Sequence, residues 1–517
     1  MNPRHFFLCQ RSLAALLCGQ LLLAGCSTGA TEFAPGPTRW PTPAPQPEPP
    51  RFPTPPWPAP IARTVPNFEA PSATHCARAV QTTETPGHLA GQRDDTDAAG
   101  GHGAARSSSA HEERARRIAP GEPSAEAPAA MPAPASPSLA GAGKEALSAD
   151  SDAAPRFAPP APSPQPTQRQ HPVQEIVTAG MVDDNADFGA YLQFRQRTQV
   201  THRPRDVSER YLLQVRNARG VPVADAEVAV QAPSGAAMWA RTDASGQAWL
   251  HPNAFDPSGS AVYEVAVRKN GRQGTAFLRR GQKSGVDLVL DAAPPGQRAR
   301  LDLVFLIDAT GSMGDEIGKL RASVRSIAAE VARLPSRPDT CFGLVAYRDR
   351  GDEFLVRRHD FTNDLGAFQS VLDALQAHGG GDYPEAMTEA LNETVHRLSW
   401  RGNDTTRMVV LLADAPPHLD YGGPQYDEDM MAALGKGIKL FSVGASGLDK
   451  QGEYIHRQMA QYTGGRFVFL TYRDAHRPGS GPGRETVHEV SNYSVQTLDR
   501  LIVRLVSEEL ARLPKAG

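Results

Sequence analysis

Acidic and hydroxyl side chains stand directly after apolar runs in the second half of this 517-residue chain. Asp308, Thr310 and Ser312 alternate along one short loop, and Asp414 follows a later apolar run. Between them, Asp382 lies on a glycine-rich stretch, whose backbone can approach neighbouring loops closely. Carboxylate and hydroxyl oxygens suit Mg²⁺, Mn²⁺ or Ca²⁺ better than a thiophilic metal. The sequence therefore predicts a divalent-cation site made of Asp308, Thr310, Ser312, Asp382 and Asp414.

The elements that must position these residues alternate between strand and helix from residue 298 onward. Apolar runs at 301–307, 342–346, 408–412 and 438–443 predict buried strands, and amphipathic stretches at 317–334, 365–376, 385–398, 427–434 and 450–461 predict helices. Such alternation indicates an α/β domain with a doubly wound, mainly parallel sheet over 298–515. In these sheets ligands lie beyond the carboxyl ends of the strands, where the acids of the predicted site occur.

The spacing Asp308-x-Thr310-x-Ser312, with Asp414 later, resembles the metal ion-dependent adhesion site of von Willebrand factor A (VWA) domains. The strings Tyr347-Arg-Asp, Gly-Gly-Gly-Asp382-x-Pro-Glu and Asp414-Ala-Pro-Pro-His418 are similar to the bacterial and alpha-kinase-associated branch of that family. The resemblance implies that the four residues of the adhesion-site pattern are metal ligands, some through water. It also implies a protein partner whose acidic side chain completes the coordination of the cation.

The chain departs from the family pattern at Asp382, where many members have a threonine. A carboxylate there should strengthen cation binding, but it should also neutralise charge that would attract an acidic partner. We expect His418 to help order the site by donating a hydrogen bond to one of the metal ligands.

Other interpretations of these residues stay open. Asp308 and Asp414 can instead be acids that favour helix N-termini. A bound metal can stabilise the fold only, while the sandwich or the tether contacts the partner. Alternatively, the metal can activate water in a hydrolase. Because neither a nucleophile elbow nor a phosphate-binding loop is found in the sequence, we predict a cation-dependent binding protein and not an enzyme.

Composition limits the folded part of the chain. The sequence has 46 Pro and 46 Gly with 7% aromatics, and most prolines fall in its first third, which therefore lacks the material for a core. A formal net charge of −3 gives no indication of nucleic-acid binding. We predict a disordered Pro/Ala-rich tether over 27–172.

A small β sandwich is predicted over 207–292. Short apolar runs at 211–215, 227–231, 247–250, 262–267 and 286–290 are separated by turn signals such as Lys269-Asn-Gly271. The segment resembles the Ig-like or transthyretin-like modules of bacterial surface proteins, which implies a spacer. Residues 173–206 are left unassigned.

The N-terminus is predicted to be an export signal. Residues 1–26 combine a basic start with an apolar run that is too short to span a bilayer. The ending Leu23-Ala-Gly-Cys26 resembles the lipobox of bacterial lipoproteins. The resemblance implies that Cys26 is acylated, and Ser27 implies sorting to the outer membrane, on its periplasmic or surface side.

Two cysteines, Cys76 and Cys341, belong to the body of the protein. They can form one disulfide in an oxidising compartment. Against that pairing, Cys76 lies in low-complexity sequence and Cys341 begins an apolar strand, where a free thiol packs well. The sequence does not decide between these states.

Overall fold

The computed structural model describes residues 76–88, 176–292 and 298–513. Its strands are β1 (Thr82–Pro86), β2 (Thr178–Val182), β3 (Tyr211–Arg216), β4 (Glu227–Gln231), β5 (Ala237–Arg241), β6 (Gln247–Leu250), β7 (Val262–Lys269), β8 (Arg272–Arg279), β9 (Val286–Val289), β10 (Arg300–Asp308), β11 (Asp339–Tyr347), β12 (Phe354–Thr362), β13 (Thr405–Ala413), β14 (Ile438–Gly444), β15 (Phe467–Thr471) and β16 (Gln496–Thr497). Its helices are α1 (Phe188–Arg197), α2 (Pro252–Phe255), α3 (Gly314–Ala332), α4 (Leu365–Asp373), α5 (Met387–Arg397), α6 (Tyr426–Lys436), α7 (Lys450–Tyr462) and α8 (Leu498–Ala511).

The large sheet has the strand order β1-β12-β11-β10-β13-β14-β15-β2-β16. Strands β11, β10, β13, β14 and β15 are parallel, whereas β12, β1 and β2 pair antiparallel with their neighbours. On β10, Leu303 and Phe305 face one apolar core, and Val304 and Leu306 face another. A strand that is buried on both faces needs a near-continuous apolar sequence, as β10 has. The predicted doubly wound, mainly parallel α/β sheet is confirmed.

The predicted sandwich consists of two sheets, one ordered β6-β3-β9 and the other β5-β4-β7-β8. Inward side chains of both sheets share one core, among them Leu213, Val228 and Val265. The sandwich contacts the large-sheet domain through a buried ion-pair network. There, the Asp225 carboxylate accepts hydrogen bonds from Arg241 of β5 at 2.7 Å and from Arg407 of β13 at 2.9 Å. The pKa of Asp225 is lowered by these arginines in spite of its burial.

The tether prediction is wrong for residues 76–88. Strand β1 adds to the edge of the large sheet by pairing with β12, and Cys76 forms a disulfide with Cys341 of β11. Of the two states that the sequence leaves open, the structure has the disulfide. Cys76 is 4% exposed, so the low-complexity sequence around it does not keep it away from the core. Every residue of β1 is exposed, and its backbone pairing leaves no apolar pattern to read in the sequence.

The unassigned segment at 173–206 belongs partly to the large sheet. Strand β2 pairs with β15, and α1 follows it with Tyr191 and Phe194 buried. Asp184, between these two elements, accepts hydrogen bonds from the Arg457 guanidinium of α7 at 2.6 and 2.9 Å. This segment therefore packs against the domain that carries the predicted site.

Several predictions lie outside the described residues. They are the export signal at 1–26, the acylated Cys26 and the tether apart from residues 76–88. None of the helices in the described ranges combines the length and apolar character needed to cross a bilayer.

Candidate functional site

The centre of the site is the carboxyl end of β10. Asp308 is the last residue of that strand and is fully buried. Its Oδ1 accepts hydrogen bonds from the Thr310 backbone N–H at 2.9 Å and from the Thr310 hydroxyl at 2.7 Å. The Thr310 and Ser312 hydroxyl oxygens are 3.1 Å apart. The alternating oxygens of this loop therefore converge on one point, as the spacing predicts.

Asp414 joins this group from the neighbouring strand. It follows β13, which is parallel to β10, and it is 4% exposed. Burial raises the pKa of Asp414 to about 7, the charge of Asp308 adds to that rise, and a hydrogen bond from Ser312 opposes it. The structure thus brings together Asp308, Thr310, Ser312 and Asp414.

The pKa of Asp308 is raised to about 6. Burial is the main cause, the charge of Asp349 adds to it, and the hydrogen bonds from Thr310 oppose it. Asp308 Oδ2 and Asp414 Oδ1 are buried and have no hydrogen-bond partner in the part of the chain that the structure describes. Two buried carboxylates that repel each other and have unpaired oxygens are costly unless a positive charge is bound nearby.

Glu385 is an acid of this site that the sequence prediction missed. It is 3% exposed, and its Oε2 also has no hydrogen-bond partner within the described ranges. Burial raises the pKa of Glu385 to about 9, with further contributions from the charges of Asp308 and Asp349. The available signal was the string Gly-Gly-Gly-Asp-Tyr-Pro-Glu, which ends at this residue.

The glycine-rich loop packs its backbone against the Asp308 loop. The Gly379 carbonyl accepts a hydrogen bond from the Gly311 N–H at 2.8 Å. Gly380 has a φ of +74°, and a Cβ there would lie 2.8 Å from Glu385 Oε1 and 2.9 Å from Thr310 Cβ. Glycine is required at this position because of both the backbone conformation and the close approach.

The structure places the Asp382 side chain close to His418 and Asp349. The glycine backbone occupies the space beside Thr310, and the Asp382 side chain is 65% exposed on the far part of the loop. Its Oδ2 lies 3.9 Å from His418 Nε2, and His418 Nε2 lies 3.8 Å from Asp349 Oδ2. Asp382 therefore groups with Asp349 and His418, at the ends of different loops.

Asp352, in the loop after β11, has a structural role at the site. Asp352 Oδ2 accepts hydrogen bonds from the Asp349 N–H at 3.0 Å and from the Gly380 N–H at 2.8 Å. Its carboxylate thus joins the loop after β11 to the glycine-rich loop.

The chemistry of the central group fits a hard divalent cation. Its members offer only carboxylate and hydroxyl oxygens, which Mg²⁺, Mn²⁺ and Ca²⁺ prefer. The unpaired oxygens of Asp308, Asp414 and Glu385 supply lone pairs that are not used by other described residues. A cation there would offset the like-charge repulsion that adds to the effect of burial on the three pKa values.

Comparison with known proteins identifies similar sequences and folds. Residues 302–418 match the family model of the von Willebrand factor A domain. An ariadne-like RING finger protein of Acanthamoeba polyphaga mimivirus is 31% identical over 121 residues, which are 23% of this chain and 12% of that protein. The alpha-protein kinase vwkA of Dictyostelium discoideum is 29% identical over 123 residues, which are 23% of this chain and 19% of that protein.

The aligned part of this chain spans less than a fifth of the length of each of these two relatives. Among solved structures, the SpRpn10 VWA domain is 14% identical, with a TM-score of 0.26 over 40% of this chain and 94% of that one.

Proposed function

Since the chain contains a von Willebrand factor A domain, we propose that it captures a protein partner through a divalent cation held at the carboxyl ends of β10 and β13. The observation that carries the proposal is the pair of buried, unpaired oxygens on Asp308 and Asp414. Asp308, Thr310, Ser312 and Asp414 are the proposed ligands, some of them through water. Mg²⁺ is the favoured ion, and Mn²⁺ or Ca²⁺ are the alternatives.

The charges around the site are compatible with an acidic partner. Asp382 is exposed, and its Oδ2 lies 3.9 Å from His418 Nε2. Burial and the charges of neighbouring acids raise the pKa of Glu385 to about 9, which favours its neutral form. When bound, the cation supplies a positive centre with an open coordination position for a carboxylate of the partner.

An Asp308→Ala variant tests this proposal in the full chain. In the wild type, MgCl₂ should raise the thermal midpoint relative to EDTA, because an ion that binds only the folded state stabilises it. The variant should lose this shift. It should also fail to capture the partner that cross-linking of the wild type in the cell envelope is to identify. Asp287→Ala is the control, because Asp287 is an exposed residue of β9 in the sandwich.

Two outcomes would contradict the proposal in different ways. If the variant loses the Mg²⁺ shift but binds the partner as well as the wild type does, the metal stabilises the fold and does not bind the partner. If the variant keeps the Mg²⁺ shift, Asp308 is not a ligand.

We further propose that Cys26 is acylated and anchors the exported chain to the outer membrane. The Cys76–Cys341 disulfide supports export, because disulfides persist in oxidising compartments. Multiple acyl chains would anchor stably, since each buried CH₂ contributes about 0.8 kcal/mol. Mass spectrometry of the mature N-terminus should find an acylated cysteine, and Cys26→Ser should release the protein from the membrane fraction. A mature wild-type chain without lipid would refute the anchor.

A further inference from the structure

His418 is held in one orientation beside the central site. Its side chain is 6% exposed, and its ring stacks on Tyr421 with centroids 3.7 Å apart. Its Nδ1 lies 3.0 Å from Asp420 Oδ1, and its backbone N–H donates to the Glu385 carbonyl at 3.0 Å. A hydrogen bond from Nδ1–H to the Asp420 carboxylate leaves the lone pair on Nε2, the tautomer that a metal ligand needs.

The Nε2 atom of His418 is buried and has no hydrogen-bond partner among the described residues. It points between two carboxylates, at 3.8 Å from Asp349 Oδ2 and 3.9 Å from Asp382 Oδ2, distances that are too long for hydrogen bonds. Asp349 is itself positioned, because its Oδ1 accepts a hydrogen bond from the Tyr421 hydroxyl at 2.6 Å.

The three side chains have the spacing of a coordination sphere. One ligand atom from each lies within 4.8 Å of the other two. Ligands at about 2.0–2.2 Å from a tetrahedral cation stand roughly 3.3–3.6 Å apart. The small adjustment needed is available to Asp382, whose side chain is 65% exposed.

We propose that Asp349, Asp382 and His418 form a second metal site, separate from the one at Asp308 and Asp414. An imidazole nitrogen with two carboxylates suits Zn²⁺ or another late first-row divalent cation, whereas the all-oxygen site suits Mg²⁺. Asp420 orients His418 behind this site. Three protein ligands and an exposed Asp382 leave a coordination position open to solvent or to an external ligand.

Zinc titration of the full, tag-free chain tests the site. With MgCl₂ in excess, calorimetry should detect Zn²⁺ binding that falls at least tenfold in His418→Gln and in Asp382→Asn. His476→Gln is the matched control, since His476 is an exposed histidine elsewhere on the domain.

Zinc X-ray absorption gives a readout that a purely structural role of His418 would not move. The wild type should show one imidazole per bound Zn²⁺, and His418→Gln should show none. Asp420→Asn should retain the imidazole but weaken Zn²⁺ binding about 10- to 100-fold. Because Asp382 is exposed, its variant tests the site even where His418→Gln fails to fold.

The competing explanation is an ion pair between a protonated His418 and the two carboxylates. It predicts that Zn²⁺ binds wild type and His418→Gln equally or not at all. Either of those results, or a zinc spectrum without an imidazole in the wild type, would overturn the second site. These results do not depend on Mg²⁺ binding at Asp308, so the two proposals can fail separately.

Discussion

Replacing Asp308 by Asn should make the protein more stable in EDTA at pH 7.5, although Asp308 is fully buried. Asn keeps the Oδ1 that accepts the two hydrogen bonds from Thr310, and it removes the negative charge beside Asp414. The charged form is unfavourable in the fold, because burial raises the pKa of Asp308 from 3.8 to about 6.

The size of the effect follows from that difference in pKa. About two pKa units at 1.36 kcal/mol each correspond to a gain on the order of 3 kcal/mol at neutral pH. For an acid with a raised pKa, this penalty on the folded state grows as the pH rises from about 4 to about 6. Wild type and Asp308→Asn should therefore have similar stability at pH 4 and differ fully above pH 7.

Thermal melts followed by circular dichroism provide the assay. At about 2–4 °C per kcal/mol for a domain of this size, the midpoint of Asp308→Asn should rise by roughly 6–12 °C in EDTA. Adding MgCl₂ should raise the wild-type midpoint and leave that of the variant unchanged.

Asp302 provides a matched control on the same strand. It is also fully buried, but it accepts hydrogen bonds from the Arg401 backbone N–H at 2.8 Å and from Arg401 Nε at 2.7 Å. Asp302→Asn removes the buried counter-charge of Arg401, which then keeps only the partly exposed Asp339 at 2.8 Å, and it should lower the stability by about 3 kcal/mol in EDTA at pH 7.5. If Asp308→Asn, like Asp302→Asn, lowers the thermal midpoint in EDTA, the charge of Asp308 does not destabilise the fold and the reasoning is refuted.

Three further predictions concern the loop, the disulfide and the core. Gly380→Ala should destabilise the fold by about 1–3 kcal/mol and weaken Mg²⁺ binding, because its φ is +74° and Thr310 Cβ would be 2.9 Å away; an unchanged Mg²⁺ titration would contradict this. Cys76→Ser should cost about 2–5 kcal/mol in urea unfolding, since the disulfide to Cys341 closes a separation of 265 residues. Reductant should lower the wild type to the level of this variant and expose β1 to hydrogen exchange. Burial lowers the pKa of His456 to about 3, so the wild type should lose stability as the pH falls from about 6.5 towards 3, and His456→Gln should lose less. Equal losses of unfolding free energy in the two proteins over this pH range would refute the role of His456.

The predictable part of the site is the part that depends on local sequence. Asp308, Thr310 and Ser312 are brought together by one short loop, so their spacing is enough to predict the convergence. Asp414 could be added because parallel strands β10 and β13 end at the same edge of the sheet. The apolar runs of these strands are readable because burial on both faces requires them.

The remaining features depend on where separate segments meet. The structure places Asp382 near Asp349 and His418, which the sequence does not predict, because the glycine loop's path depends on the packing of Gly380 against Thr310. All residues of strand β1 are exposed, and the strand is held by backbone hydrogen bonds to β12. Its sequence therefore has no apolar pattern from which the strand could be predicted. The Cys76–Cys341 disulfide likewise follows from that pairing.

From the sequence alone came the strand ends and the hydroxyl and carboxylate residues of the site at the carboxyl end of β10, because strand burial and loop spacing are local properties. Only the tertiary structure decided that Glu385 joins this site and that Asp349, Asp382 and His418 form another group. The pKa values and hydrogen-bond partners of buried acids depend on charges and backbone groups from segments that are far apart in the sequence. No local sequence pattern shows how close these segments lie in the fold.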